Sequence, residues 1–381
     1  MDKENNTIEV ILMKNFYLPT RIVFGEGERK NIGSYMEQKR LTKAYLIADP
    51  FLEENGTVDE LIKVAGGRIV QVSTEVEPNP TIQNVAENAE RCRETGADCV
   101  IAIGGGSAID CAKATAAAAM EDVTCAEMMS GSPLGRALPV IAFPTTAGTG
   151  SEVTAGAVLS DKEKGIKAAV FSPVLFPAIA IVDPELTWTV PPKVTAATGL
   201  DVIAHAMDAM SSIKADDVTD ALAMKATELA LKYLERAVTD GADKEARAGM
   251  SKASTIVGMA FSQTGTTGSH ACSYMLTAEY GMPHGEACAF TLDAWVKINA
   301  EERHEMAENI GKIGFENVEG FCTWLNEVKV KFGMRTSLSE LGAGEREIEA
   351  LTSSAMASAN MRNNIAQIGF NGVMALYKSK L

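Results

Sequence analysis

Four residues that could hold one metal ion fall in two short segments of the second half of the chain. The segment at 198–206, TGLDVIAHA, contains Asp201 and His205, and a later segment contains His270 and His284. At positions i and i+4 of a helix, Asp201 and His205 would share one face, a spacing that suits two ligands of one cation. Such a pair alone is more often a surface ion pair or a cap. Three of the four histidines of the chain lie here among apolar and small residues, and a shared metal would satisfy them together. Three imidazoles and one carboxylate suit Fe(II) or Zn(II), and ligand type does not separate the two.

A glycine-rich turn in the first half of the chain suits the binding of a phosphate group. Residues 101–120, IAIGGGSAIDCAKATAAAAM, form an apolar run, three glycines, a serine and an alanine-rich helical pattern. Glycines permit close approach of the backbone, and a helix start offers unpaired N–H groups. We therefore expect Gly105, Gly106 and Ser107 to contact a phosphate or pyrophosphate. The alternative is a tight turn that only needs glycine, and the GxGxxG pattern of a dinucleotide site is absent.

Two further polar segments follow predicted strands. Asp49 comes directly after AYLIA, where a carboxylate can bond a ribose diol and would repel a 2′-phosphate, which favours NAD over NADP. An Asp at a strand end is equally common as a turn former. Residues 144–154, PTTAGTGSEVT, are rich in hydroxyl groups that could cradle ribose and nicotinamide or form only a polar loop. Ligands bind at the strand ends of a parallel sheet, so the three segments support one another.

The elements that must position these residues change character near residue 190. Up to about residue 185, short apolar runs alternate with helical patterns, as expected for parallel strands joined by crossover helices. From Pro191 onwards there is no convincing strand, and segments such as 217–238 and 244–263 have apolar residues at helical spacing. The sequence therefore predicts an α/β domain over residues 1–190 and an all-helical domain over residues 191–381, with a ligand site in the cleft between them. The predicted strands are residues 44–49, 68–73, 99–104, 140–145 and 178–183.

Composition narrows the functional class. A formal charge of −15 argues against a protein that mainly binds nucleic acid or an anionic membrane surface. No apolar run approaches the roughly 20 residues that span a bilayer, and the start of the chain has no secretory pattern. The seven cysteines form no CxxC pair, which is typical of reduced thiols in a cytosolic protein. We therefore expect a cytoplasmic enzyme with a small-molecule substrate.

Taken together, these segments resemble the iron-containing (group III) alcohol dehydrogenase family along nearly the whole chain. The resemblance implies a Rossmann-like α/β domain followed by an all-helical domain, the architecture of dehydroquinate synthase, with the active site between them. It also implies that the metal, Fe²⁺ or Zn²⁺, is held by Asp201, His205, His270 and His284. The nicotinamide-cofactor contacts that it implies are Asp49, Gly105, Gly106, Ser107, Thr145, Thr146, Thr149 and Lys167. The motifs that carry it are FGEG (24–27), GGGSAID (104–110), PTTAGTGSEVT (144–154), TGLDVIAHA (198–206) and the H-x13-H segment ending in MPHG.

One position departs from the family pattern. Many members carry another histidine four residues after the first histidine of the H-x13-H pair, and here that residue is Tyr274. A phenol with a reference pKa of about 10 can donate a hydrogen bond but relays protons poorly at neutral pH. Tyr274 is therefore either a catalytic hydrogen-bond donor or pocket wall. Phe261 and Arg362 are the other candidates for the substrate pocket, since Asn360 and Arg362 resemble the C-terminal N-x-R of the family.

The expected function is that of an NAD(H)-dependent alcohol dehydrogenase or aldehyde reductase, an oxidoreductase acting on CH–OH donors. A divalent metal would bind the oxygen of a short-chain substrate, and the chain would form a homodimer or higher homo-oligomer. The enzyme alternatives are a reductase of an anionic aldehyde (sulfo-, phosphono- or carboxy-aldehyde), a metal-dependent polyol dehydrogenase, or a lyase such as dehydroquinate synthase. The alternative outside enzymes is a nucleotide-binding assembly subunit, against which four convergent ligands speak.

Overall fold

The computed structural model describes residues 15–381, and the first half of that range is built on a parallel sheet. The strands are β1 Arg21–Phe24, β2 Ala44–Ala48, β3 Ile69–Ser73, β4 Cys99–Gly104, β5 Val140–Pro144, β6 Gly156–Asp161, β7 Ile166–Phe171 and β8 Ile179–Val182. Six of them form one sheet in the order β1-β8-β5-β4-β2-β3, and every pair is parallel. The strands β6 and β7 form a separate antiparallel hairpin.

All five predicted strands are present, with ends that differ by at most one residue from the prediction. Their continuous apolar runs reflect burial on both faces of the sheet. In β2, Tyr45 and Ile47 pack in one apolar cluster, while Leu46 and Ala48 pack in another cluster on the opposite face. Such strands lack polar alternation because helices cover both sides.

The sequence did not predict β1 or the β6–β7 hairpin. The strand β1 is only four residues long, lies at the edge of the sheet and exposes both of its end residues. In the hairpin, buried side chains such as Ala157 and Leu159 alternate with half-buried ones, interrupted by Gly156 and Ser160. Short elements that bury one side only leave a weak pattern in the sequence.

Helices cover the sheet and build the whole second half of the chain. The α-helices of the first half are α1 Ile32–Gln38, α2 Pro50–Glu54, α3 Thr57–Val64, α4 Ile82–Thr95, α5 Gly106–Ala118 and α6 Cys125–Met129. Those of the second half are α7 Pro192–Ser211, α8 Asp217–Thr239, α9 Lys244–Thr264, α10 Gly268–Tyr280, α11 His284–Phe290, α12 Leu292–Glu302, α13 His304–Lys312, α14 Val318–Lys331, α15 Ile348–Ala357, α16 Ala359–Asn363 and α17 Gly369–Lys378. No strand follows β8 in this fully described second half. The predicted fold class, an α/β sheet followed by helices, is confirmed.

The helix α7 is the centre of the helical half. Almost every residue from Thr195 to Ser211 is buried, as expected for a helix that is apolar or small on all sides. Its first turn contains Pro192, with Pro191 as the N-cap, because proline is tolerated where the N–H groups have no partner within the helix. The sheet ends at Val182, so the architecture changes between residues 183 and 191. A domain boundary at residue 190 remains our interpretation of this change.

Two glycines bring the helical half into contact with the loop after β5. Gly150 has a φ of 57° and precedes a 3-10 turn at Ser151–Val153. A Cβ added to Gly150 would lie 2.6 Å from the Cα of Gly258 on α9, and one added to Gly258 would lie 2.6 Å from Val153 Cγ2. The backbones of the two halves therefore touch directly at this point. Among residues 15–381, no helix is long and apolar enough to cross a membrane.

Gly258→Ala tests this contact. The added methyl group has no space, so we expect the free energy of unfolding to fall by about 1–3 kcal/mol. Gly311→Ala on α13 is the matched control, because a Cβ there would meet nothing within 4 Å and alanine favours a helix by about 0.5–1 kcal/mol. Urea denaturation followed by circular dichroism measures both. Equal stability of Gly258→Ala and the wild-type protein would contradict the close contact.

Candidate metal centre and cofactor site

Three helices of the second half each carry a pair of residues that belong to the candidate site or lie beside it. The pairs are Asp201 and His205 on α7, His270 and Tyr274 on α10, and His284 and Cys288 on α11. Each pair has the spacing i, i+4, which places both members on one helix face. The structure brings three of the four predicted metal ligands, Asp201, His270 and His284, into one group with Cys288, and it places His205 beside Asp201 and His270. Tyr274 and Cys288 occupy the second position of their pairs.

The donor atoms of this cluster are close to one another. Single ligand atoms of Asp201, His270, His284 and Cys288 all lie within 4.8 Å of each other. The Asp201 Oδ1 atom is 3.7 Å from His270 Nε2 and 3.8 Å from His205 Nδ1. Asp201, His205 and His270 are at most 5% exposed. Such distances are too long for direct hydrogen bonds but suit ligands around a shared cation.

Three of these atoms have no hydrogen-bond partner although they are buried. They are Asp201 Oδ1, His205 Nδ1 and His270 Nε2. Burial raises the pKa of Asp201 to about 7, and it lowers the pKa of His205 and His284 well below the ordinary range. Those two imidazoles therefore stay neutral, the form that binds metals. A buried divalent cation would satisfy the unpaired atoms, so the residues fit a metal site.

His205 lies at the side of the cluster. Its ring stacks on Phe261, with centroids 4.1 Å apart and planes 10° apart. The ring centroid of His270 is 4.6 Å from that of His205. Phe261 was predicted as a substrate-pocket residue, and its observed contact is with a predicted metal ligand. The stacking fixes the plane of the His205 ring.

Asp208 orients His270. Its Oδ2 atom lies 2.7 Å from His270 Nδ1 and also accepts a hydrogen bond from the Thr267 N–H, while Oδ1 accepts one from the Ser269 hydroxyl. Burial acts to raise the pKa of Asp208, but the charge of His270 and these hydrogen bonds hold it below its usual value. With Nδ1 engaged, His270 Nε2 is the nitrogen that faces Asp201. Our sequence reasoning missed Asp208, although it follows His205 by three residues on the same helix face.

Tyr274 is held by a residue from the C-terminal region. The Nδ2 group of Asn360 donates to the Tyr274 hydroxyl over 2.7 Å and lies 2.9 Å from Thr266 Oγ1. The Tyr274 oxygen is therefore an acceptor in this contact, which leaves its own hydrogen free for another partner. Arg362, the other half of the N-x-R segment, is exposed on α16. Of these two residues, the structure joins Asn360 to the centre through Tyr274.

The glycine-rich turn packs against the threonine-containing loop. The turn joins β4 to α5, with Gly105 as the N-cap of the helix. A Cβ on Gly106 would lie 2.8 Å from Thr149 Cγ2, and one on Gly105 would lie 3.4 Å from Thr146 Oγ1. Only glycine permits this approach at position 106. The Thr145 N–H bonds the carbonyl of Gly104, so both loops leave neighbouring strands at the same edge of the sheet.

Asn79 connects two predicted cofactor residues. Its N–H donates to Ser107 Oγ over 3.2 Å, and its Oδ1 accepts from Lys167 Nζ over 2.7 Å. Sequence reasoning missed Asn79, although the surrounding EPNP is a turn signal.

Asp49 caps α2 by accepting the N–H of Phe51, and its Cβ is 3.2 Å from where a Cβ of Gly104 would be. The structure thus groups all eight predicted cofactor residues around the turn, while their contact with a cofactor stays a prediction.

Comparison with known proteins agrees with this geometry. Residues 19–184 match the family described as iron-containing alcohol dehydrogenase, and residues 195–381 match the C-terminal part of the Fe-containing alcohol dehydrogenase family. The chain belongs to the iron-containing alcohol dehydrogenase family. It is accordingly an oxidoreductase that acts on CH–OH donors.

Relatives and solved structures in this family cover most of the chain. Alcohol dehydrogenase 4 of Schizosaccharomyces pombe is 32% identical over 375 residues, which are 96% of this chain and 89% of the relative. The 1-propanol dehydrogenase PduQ of Salmonella typhimurium is 40% identical over 292 residues, 76% of this chain and 74% of the relative. The crystal structure of sulfoacetaldehyde reductase from Bifidobacterium kashiwanohense in complex with NAD⁺ superposes with a TM-score of 0.92 at 38% identity. That alignment covers 97% of this chain and 99% of the other.

Asp208→Asn tests the orienting role of Asp208 in this iron-containing alcohol dehydrogenase. The side-chain shape is kept and the charge is lost, so we expect metal affinity to fall about 10–100-fold, as for other partners of ligating histidines. Equilibrium dialysis with Zn²⁺ measures the affinity directly.

Asp220→Asn is the matched control for this experiment. Asp220 is buried on α8 and pairs with Arg303, so its loss affects the fold without touching the centre. We expect lower stability but unchanged metal affinity for Asp220→Asn. Unchanged affinity of Asp208→Asn would show that Asp208 does not support the site.

Proposed function

We propose that this protein interconverts short-chain aldehydes and primary alcohols with NAD(H) at a divalent iron ion. The observation that carries the proposal is the buried set of unpaired donor atoms on Asp201, His205 and His270. An aspartate and imidazoles suit Fe(II) as well as Zn(II), and membership of an iron-containing family favours iron. The adjacent glycine turn supplies a place for the pyrophosphate of a dinucleotide.

The chain's own residues prepare the site for hydride transfer. When bound, a divalent cation supplies Lewis acidity toward the carbonyl or alcohol oxygen, and the nicotinamide cofactor supplies or accepts the hydride. Asp208 fixes the His270 ring, and Phe261 fixes the His205 ring. The packing of α7, α10 and α11 buries Asp201, His205 and His270.

Tyr274 is well suited to donate a hydrogen bond near the substrate oxygen. Burial raises the pKa of its hydroxyl, so the group keeps its proton at neutral pH. Asn360 fixes the hydroxyl oxygen and leaves the hydrogen free. We infer that Tyr274 orients the substrate and that proton exchange with solvent uses another route, such as the cofactor ribose or water.

The preference for NAD over NADP is part of the proposal and rests on Asp49. Its carboxylate follows β2 beside Gly104, at the edge where a ribose would lie. A 2′-phosphate at this place would meet a negative charge, whereas a ribose diol can donate hydrogen bonds to it. The capping contact with Phe51 uses only Oδ1, so Oδ2 is left for a ribose hydroxyl.

Asp49→Asn tests the cofactor preference. The amide can still cap α2, but the charge that repels a 2′-phosphate is lost, so we expect the ratio of kcat/KM for NADH over NADPH to fall by about tenfold or more, equivalent to about 1.4 kcal/mol. Asp59→Asn, which removes an exposed charge on α3, should leave the ratio unchanged. An unaltered ratio in Asp49→Asn would mean that Asp49 does not contact the ribose.

A second candidate, reduction of an anionic short aldehyde, is favoured by Lys167. This lysine on β7 is half-buried. Burial lowers its pKa, while the charges of Cys288, Asp110 and Asp201 act in the opposite direction. A cation in the field of the predicted metal ligand Asp201 could attract a sulfonate, phosphonate or carboxylate tail. The similarity to a sulfoacetaldehyde reductase supports the same candidate.

One assay separates these candidates and tests the proposed function. The iron-loaded protein is given NADH with propanal, lactaldehyde, succinic semialdehyde or sulfoacetaldehyde, and NADH absorbance is followed. We expect the highest kcat/KM with a neutral aldehyde. A higher value with the anionic aldehydes, reduced selectively in Lys167→Gln, would favour the second candidate.

The negative control for the assay is His270→Ala, which should lose both metal and turnover while it remains folded. Activity with none of the four aldehydes, or full activity of metal-free His270→Ala, would refute the proposed function. Cytoplasmic location and assembly as a homodimer or higher homo-oligomer stay predictions.

A further inference from the structure

Cys288 lies inside the candidate metal centre. Its Sγ atom belongs to the group of donor atoms from Asp201, His270 and His284 that lie within 4.8 Å of one another. The same atom is 3.7 Å from His284 Nε2 and 3.9 Å from His284 Nδ1. A group of nitrogen, oxygen and sulfur donors this close together is compatible with ligands of a single ion.

The contact between α11 and α7 determines where the backbone of Cys288 lies. Cys288 follows His284 by one helical turn on α11 and is fully buried. The neighbouring Gly285 permits α11 to touch α7, since a Cβ there would lie 2.0 Å from the Ala197 carbonyl oxygen. Because the helices meet this closely, the backbone of α11 at Cys288 is held beside Asp201.

The surroundings of Cys288 differ from those of other buried cysteines. The thiol of Cys99 donates to the carbonyl of Lys43, and that of Cys322 donates to the carbonyl of Asp293. The hydrogen-bond neighbours of Cys288 are instead the ring nitrogens of a predicted metal ligand. Nearby, Asp201 Oδ1 and His270 Nε2 are buried without partners. A thiol among unpaired donors is placed for coordination, whereas the thiols of Cys99 and Cys322 are already satisfied by backbone carbonyl groups.

We propose that Cys288 Sγ is a direct ligand of the divalent ion, so that this centre has an aspartate, histidine and cysteine donor set. The sulfur–metal bond forms as the S–H proton leaves to solvent, and no atom is oxidised or reduced. His205, held beside the group by its stacking on Phe261, would be a further donor. A sulfur ligand favours thiophilic ions such as Zn²⁺, Co²⁺ and Cd²⁺ over a purely nitrogen and oxygen set.

This inference rests on the proposed metal site but is tested by a different signal. The metal-free protein is titrated with Co²⁺, whose visible bands report binding of the ion and whose near-ultraviolet sulfur-to-cobalt band reports a thiolate ligand. We expect both signals in the wild-type protein. Cys288→Ser should keep the visible bands and lose the sulfur-to-cobalt band. Its affinity for Cd²⁺ should be lower than that of the wild-type protein by about tenfold or more.

Cys322→Ser is the matched control, because Cys322 is equally buried but lies on α14 away from the centre. It should keep both signals. Circular dichroism of Cys288→Ser and of a second variant, Cys288→Ala, shows whether the fold survives the loss of the thiol. If the sulfur-to-cobalt band is missing in the wild-type protein, or persists in Cys288→Ser, the proposed coordination by Cys288 is wrong, but the metal site itself is not refuted. Failure of the wild-type protein to bind Co²⁺ at all would overturn the metal site as well.

Discussion

The burial of the Asp201 carboxylate among three helices is the constraint on which the rest of the site depends. An unpaired carboxylate in such a place costs several kcal/mol, and no Lys or Arg side chain pairs with Asp201 among the salt bridges of residues 15–381. The burial of α7 on all sides nevertheless fixes Asp201 at the point where α10 and α11 approach. A bound divalent cation would satisfy the carboxylate in its charged form, and this supports the proposal that the helical half binds a metal.

The same packing ties the candidate metal centre to the edge of the sheet where the cofactor residues are predicted. The loop that carries Thr146 and Thr149 continues into Gly150, whose backbone touches Gly258 on α9. Within the following turn, the buried carboxylate of Glu152 accepts a hydrogen bond from Thr255 of the same helix over 2.8 Å. The position of the helices is thus transmitted to the loop, so a cofactor at the sheet edge and a metal among the helices would keep a fixed separation. Hydride transfer requires such a fixed distance.

The sequence allowed prediction of those parts whose physical cause is local. The strands β2, β4 and β5 are buried on both faces and therefore leave long apolar runs, and Asp201 and His205 share a face through helix spacing alone. Some contacts of the site residues were not predicted because they join distant segments: Asn360, known from the sequence only as part of the N-x-R segment, reaches Tyr274 across 86 positions in the chain, and Asn79 reaches Lys167 across 88. Their side chains have no periodic pattern. Only the three-dimensional packing brings them together.

The candidate centre contains residue positions that are fixed by the fold and positions whose residue type can vary. On each of the three helices the first residue of the i, i+4 pair is a predicted ligand. The second residue is Tyr274 on α10 and Cys288 on α11. The first positions are tied to the fold: Asp201 is buried within α7, and His270 is held by Asp208. The second positions point into the centre from one turn further along and can change type without moving a helix. We therefore expect changes at positions 274 and 288 to alter substrate contacts and metal preference while the architecture and the predicted ligands Asp201, His270 and His284 stay the same.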